Sequence, residues 1–207
     1  MTRRRHPVIT SLAAMLPVWI AAIGFSFALT ECDGNPRDVA VPRPTAYPRV
    51  LPYDTTYTAI DRLPVVMEVN SGATVTRGDD RDSTATDKIN ISYPRYGATL
   101  YCTYTPVTAA TATAVIDNRV ERMSLNAGSL STEISRLATP AGVDATILVT
   151  PEARVTPVQF LATDSATFVL TGALYFANST SASDSIRPVL DAVSRDIVHT
   201  VTHLRRR

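Results

Sequence analysis

Apolar and polar positions alternate most clearly in the last quarter of the chain. Val158, Phe160 and Ala162 share one face of a run whose other face carries Gln159, Leu161 and Thr163. That period of two marks a strand. Asp164-Ser165 follows, a pair whose side chains bond to nearby backbone and favour a turn. From Thr167 to Ala177, Phe168, Leu170, Gly172, Leu174 and Phe176 alternate with Val169, Thr171, Ala173 and Tyr175. Both faces are mostly apolar, which predicts a central strand covered on each side. Gly172 within it predicts a bulge or a neighbour lying close against the backbone.

The spacing then changes to that of a helix. Ile186, Val189, Leu190, Val193, Ile197, Val201 and Leu204 form one stripe, which predicts an amphipathic helix over 185–204 packed across the sheet. Pro188 must lie in the first turn, so Ser185 is the expected cap. Asp191 and Arg195 sit four apart, acid first, a weakly stabilising pair. Arg205, Arg206 and Arg207 would lie at the negative end of the helix dipole.

Upstream, alternation predicts strands near 65–69, 88–93, 98–105 and 143–150. Pro94-Arg95-Tyr96-Gly97 is the turn of a hairpin. Ala112, Val115, Ile116, Val120, Met123 and Ala127 predict a helix over 109–126 that Gly128 ends. Leu130, Ile134 and Leu137 fit a further turn or two. Residues 70–87, with Asp79, Asp80, Asp82 and Asp87, read as a solvated loop. Asp80-Arg81-Asp82 opens like a calcium loop, but the glycine and closing glutamate are missing. Hairpins interleaved with helices predict an α+β class, a largely antiparallel sheet flanked by helices. By analogy of fold alone it resembles the PsbP/Mog1-type sandwich.

The N-terminus changes the picture. Met1-Thr-Arg-Arg-Arg-His6 precedes an apolar run from Val8 to Leu29, and about 20 such residues span a bilayer. Pro17 and Gly24 weaken it as a permanent helix, and export is the competing reading. Leu29-Thr30-Glu31-Cys32 looks like a bacterial lipobox, with Cys32 as the lipidation site; Glu31 departs from the small residue normal there. A lipidated Cys32, an uncleaved anchor and a plain secreted form all place the rest of the chain outside the cytoplasm. Residues 1–31 are thus a signal peptide or N-terminal anchor. Residues 32–62, with Pro36, Pro42, Pro44, Pro48 and Pro52, form an extended tether that ends by lying across the domain. Residues 63–207 form the single α+β domain.

Composition adds exclusions. A net charge of +1 gives no field to steer nucleic acid, and of the 20 basic residues only Lys88 is lysine. Cys102 alternates with Leu100 and Tyr104 and reads as a buried small hydrophobe, with a Cys32–Cys102 disulfide as the alternative. His199 and His203 are four apart, a metal-binding spacing. No third ligand is evident, and His199 lies well round from the Ile197 stripe, so a solvated face is the expectation. Tyr93, Tyr96, Tyr101 and Tyr104 read as sheet packing. There is no phosphate loop, nucleophile elbow or carboxylate pair marked by context, so no catalytic, cofactor-binding or metal-ligating residue is assigned.

Several stretches together resemble the gliding motility lipoprotein GldD family of the Bacteroidota. They are Pro42-Arg43-Pro44-Thr45-Ala46-Tyr47, then Ile91 through Leu100 (ISYPRYGATL), and Pro157 through Ser165 (PVQFLATDS). Gly172-Ala173-Leu174-Tyr175-Phe176, Asp184-Ser185, Pro188-Val189 and Asp196-Ile197-Val198-His199 continue the likeness, which covers roughly residues 40 to 205. Thr171 departs from it, since the family usually has Arg there. The resemblance implies a lipid-anchored envelope protein, needed for gliding and the linked type IX secretion, with other envelope motility proteins as partners. It implies no enzymatic activity or cofactor, and it carries over Cys32 alone, as the lipid site. The competing reading is an envelope-anchored small-molecule-binding module or enzyme on the same fold.

Overall fold

The computed structural model describes residues 55–78, 86–177 and 183–207, with the backbone alone for 183–185. The apolar N-terminal run, Cys32, the proline-rich stretch to residue 54 and the Asp80-Arg81-Asp82 run lie outside the described residues. The strands in chain order are β1 (Tyr57–Ile60), β2 (Val65–Asn70), β3 (Thr74–Arg77), β4 (Asp87–Tyr93) and β5 (Ala98–Pro106). Helix α1 (Ala112–Ala127) follows, then β6 (Glu133–Ala138), β7 (Asp144–Val149), β8 (Val158–Thr163) and β9 (Phe168–Phe176). Helix α2 (Ser183–Thr202) and the two-residue β10 (Arg205–Arg206) complete the domain. The fold is α+β, as expected.

A seven-stranded sheet runs β3-β4-β5-β9-β8-β7-β6, and a three-stranded one runs β1-β2-β10. Every pairing is antiparallel. β8 and β9 form the expected hairpin, and β9 takes the central place, paired with β5 on its other side. The main core lies between the large sheet, α2 and β2. Ile91, Tyr93, Leu100, Phe160, Leu170 and Leu174 meet Leu190, Val193, Ile197, Val201 and Leu204 there. On the opposite face α1 covers β8 and β9 only in part, through Met123 on Leu161 and Val169.

The large sheet explains Gly172. Cys102, Gly172 and Phe160 are opposite one another on β5, β9 and β8, and the Phe160 ring lies over the glycine. A Cβ on Gly172 would stand 2.0 Å from Phe160 Cε1. The close neighbour, rather than a bulge, is what the glycine serves, since the pairing runs through it without interruption. Cys102 is a free, fully buried thiol. Burial pushes its pKa up to about 12, so it stays protonated and unreactive, the hydrophobe it was read to be.

The β8–β9 turn is built on Asp164. Its Oδ1 accepts from the backbone N–H groups of Ala166, Thr167 and Phe168, and Ser165 takes the left-handed conformation at φ 60°. Burial alone would raise the Asp164 pKa, but the Thr167 hydroxyl and those N–H groups outweigh it and bring it down to about 2.

Several sequence expectations need correction. Leu130, Ile134 and Leu137 do not extend a helix; Glu133–Ala138 is the edge strand β6, paired with β7. The stretch read as a loop contains β3, which pairs with β4. Tyr57–Ile60, in the stretch read as the end of the tether, pairs with β2. α2 begins at Ser183, so Pro188 lies inside the helix and not in the turn after a Ser185 cap. The missing N–H leaves the Asp184 carbonyl without its usual helical donor, a loss confined to the N-terminal end. At the other end the chain leaves the helix after Thr202, and Arg205–Arg206 pair with Val66 and Val65. The three arginines are therefore not a helix tail. Arg205 faces Glu68 at 3.9 Å, Arg206 Asp164 at 3.3 Å and Arg207 Asp61 at 3.4 Å.

Candidate functional site

Two places in the domain gather polar chemistry. The first is the seam between α2 and the β1–β2 pair. Asp196, His199, Thr200 and His203 recur at helical spacing, on a stripe beside the apolar one. Asp196 is only 8% exposed. Its Oδ1 accepts from the Tyr57 hydroxyl at 2.8 Å and from Asn70 Nδ2 at 3.3 Å. The Thr200 hydroxyl donates to the Glu68 carbonyl at 2.8 Å. Burial, then the hydrogen bond and charge of Asp196, push the Tyr57 pKa up to about 12, so its hydroxyl remains a donor at any physiological pH.

His199 is held in the same seam. Its Nε2 lies 3.0 Å from Glu68 Oε2, and the Tyr57 ring stacks on it with centroids 3.5 Å apart and planes at 17°. The His203 ring stacks on its other side at 4.0 Å, and His203 Nδ1 lies 2.9 Å from the His199 carbonyl oxygen. The solvated position expected for His199 is thus half-buried. The cause is β1, a strand the sequence pattern did not show, which closes over that side of the helix. Sequence reasoning saw the two histidines but not Glu68, which is 131 residues away from His199.

The second place is a cavity of about 570 Å³ on the other face of the large sheet, beside α1. Its polar lining is Tyr101, Thr103, Arg119, Arg122, Asn126, Gln159, Thr171 and Tyr175. Gln159 is 2% exposed and held at both ends of its amide: its Oε1 accepts from Asn126 Nδ2 at 2.9 Å, and its Nε2 donates to the Met123 carbonyl at 3.3 Å. Burial, and then the charge of Arg122, lower the Arg119 pKa. Neither arginine forms an ion pair among the described residues. Tyr101 and Tyr175 meet edge to face at 5.3 Å on the rim. Among the described residues the lining holds no carboxylate, histidine or cysteine, so a ligand seated there would meet from them donors and arene edges but no general base. Arg119 and Arg122 are three apart on α1, and only the incomplete cover of the sheet makes them a site.

Of the site residues expected from sequence, Cys32 lies outside the described residues. Among those described, no helix is long and apolar enough to cross a membrane, and Val8–Leu29 lies outside them too.

An antiparallel α+β domain with an arginine-lined cavity on one face and a polar seam on the other is the class that fold and sites define. Within that class the chain belongs to the gliding motility lipoprotein GldD family, whose model matches residues 37–205. Membership implies a role in gliding motility, association with the envelope and anchoring through lipid. No curated protein matches the chain.

Proposed function

We propose that the protein is a lipid-anchored component of the gliding apparatus that assembles or stabilises a protein complex linked to type IX secretion, without turning over a substrate. The observation that carries this is the family match over residues 37–205. It is supported by a cavity whose lining, among the described residues, offers no acid–base pair. Lipid on Cys32 would hold the domain on the non-cytoplasmic side of a membrane, with the proline-rich stretch that follows it as tether. Each buried methylene contributes about 0.8 kcal/mol, so a lipidated cysteine with its several chains stays at the membrane unaided.

The anchor is tested by the intact mass of protein extracted from membranes. A mature chain that starts at Cys32 and carries acyl chains is the expected result, with slow processing because of the charge on Glu31. A mass that includes residues 1–31 would contradict it. So would a Cys32→Ala variant unchanged in size and membrane retention; either makes Val8–Leu29 the anchor instead.

A second reading, an envelope-anchored module that binds a small anionic molecule, is favoured by one observation. Arg119 and Arg122 line a ligand-sized cavity without a carboxylate partner among the described residues.

A further inference from the structure

We propose that His199, His203 and Glu68 form a binding site for a divalent transition-metal ion, zinc in the first instance, that ties the last turns of α2 to strand β2. The donor atoms of these three residues all lie within 4.8 Å of one another. Two ligands on one tetrahedral zinc stand about 3.4 Å apart, given bonds near 2.0–2.1 Å. His199 Nε2 and Glu68 Oε2 stand 3.0 Å apart, at hydrogen-bond distance, so the pair must open by about 0.4 Å to admit the ion. His203 is exposed and lies just beyond the end of α2, so its side chain has room to swing, and it must tilt out of its stack on the His199 ring to aim a lone pair at the same ion.

The surroundings orient the ligands. A backbone carbonyl can only accept, so the 2.9 Å contact to the His199 carbonyl puts the His203 proton on Nδ1. Nε2 of His203 is then the lone-pair nitrogen, the arrangement in which metal-bound histidines hold their second nitrogen. Tyr57 fixes the His199 ring by stacking on it, and is itself fixed by its hydrogen bond to Asp196. Two imidazoles and one carboxylate suit zinc and disfavour calcium or magnesium, which take oxygen ligands. The fourth position would face solvent and take water or a side chain of a partner.

A simple ion pair between His199 and Glu68, assisted by Arg205 at 3.9 Å, explains part of this geometry without a metal. It leaves His203 with only its stacking on the His199 ring and its contact to the His199 carbonyl, and no part in the charge pairing. That residue therefore separates the two accounts, and the site is independent of the cavity and of the proposed assembly role.

The test is a calorimetric titration of zinc chloride into the purified full-length protein, stripped with chelator and kept in detergent. Thermal melts with and without zinc accompany it. One equivalent should bind and raise the melting temperature. His203→Ala and Glu68→Gln should each weaken binding at least tenfold, while metal-free His203→Ala, which loses only an exposed stacked ring and one hydrogen bond, melts close to the wild-type value. Cobalt(II) in place of zinc should give the intense visible bands of a four-coordinate ion. Absence of one-equivalent binding, or a His203→Ala variant that binds zinc as tightly as wild type, would overturn the proposal.

Discussion

Ile197→Asp is expected to unfold the domain, or leave it with a small fraction of its stability. Ile197 is fully buried and Leu190 is 1% exposed, both at the seam where α2 meets the large sheet and β2. A carboxylate at either position would have neither a cation nor water within reach. It must ionise in an apolar medium or fold protonated, and either costs about 4 kcal/mol or more. Domains have only about 5–15 kcal/mol in total, so little would remain. Leu190→Asp should behave alike. His199→Ala, in metal-free buffer, should lose only about 1 kcal/mol, since it removes a half-exposed ion pair and one stacked ring. Thermal and denaturant melts of the three variants decide this. Equal losses at Ile197 and His199 would mean that the faces of α2 are wrongly assigned.

Gly172→Ala is expected to be nearly as damaging, although in most strands that change is mildly stabilising. The added methyl would stand 2.0 Å from Phe160 Cε1 and 2.7 Å from its Cδ1 and Cζ, where carbon atoms normally keep about 3.5–4 Å. The ring cannot yield easily: Phe160 is 1% exposed and pairs with Gly172 across the β8–β9 ladder. A loss of about 3 kcal/mol follows from overpacking. Phe160→Leu in the same chain should relieve the clash, so that the double variant loses about 1–2 kcal/mol less than the sum of the single changes. A Gly172→Ala protein as stable as wild type, or strictly additive losses, would refute the account of this contact.

The elements legible in the sequence are those whose side chains carry the core. β8 and β9 alternate between a fully buried face and one that α1 covers only in part, and α2 presents Leu190, Val193, Ile197 and Val201 at helical spacing, so burial had written itself into the pattern. The missed strands are all peripheral. β3 contributes little but Val75 to the core and is held to β4 by its backbone. In β6 only Leu137 packs inward while Ile134 stays exposed, and the spacing of Leu130, Ile134 and Leu137 imitates a helix. β10 is two arginines joined to β2 by main-chain pairing, which leaves no hydrophobic signal at all. The sites follow the same logic. The interval between His199 and His203 was visible because it lies within one helix. Glu68 was not, because its partnership depends on where β2 docks. The arginine cavity depends on how much of the sheet α1 leaves uncovered, a quantity no local pattern encodes.

The central claim, that the domain serves an assembly and not a ligand or a reaction, is tested most directly by complementation. A strain lacking the gene would receive the full chain, an Arg119→Ala/Arg122→Ala double variant, or a version that ends at residue 54. Surface spreading and secretion would be scored at matched abundance. Removing both guanidinium groups leaves the cores on either side of the sheet untouched, so the double variant should fold, spread and secrete like wild type, while the truncated chain restores neither activity. A double variant that is folded and present at normal abundance yet fails to spread would contradict the account and assign the working role to a ligand in the cavity.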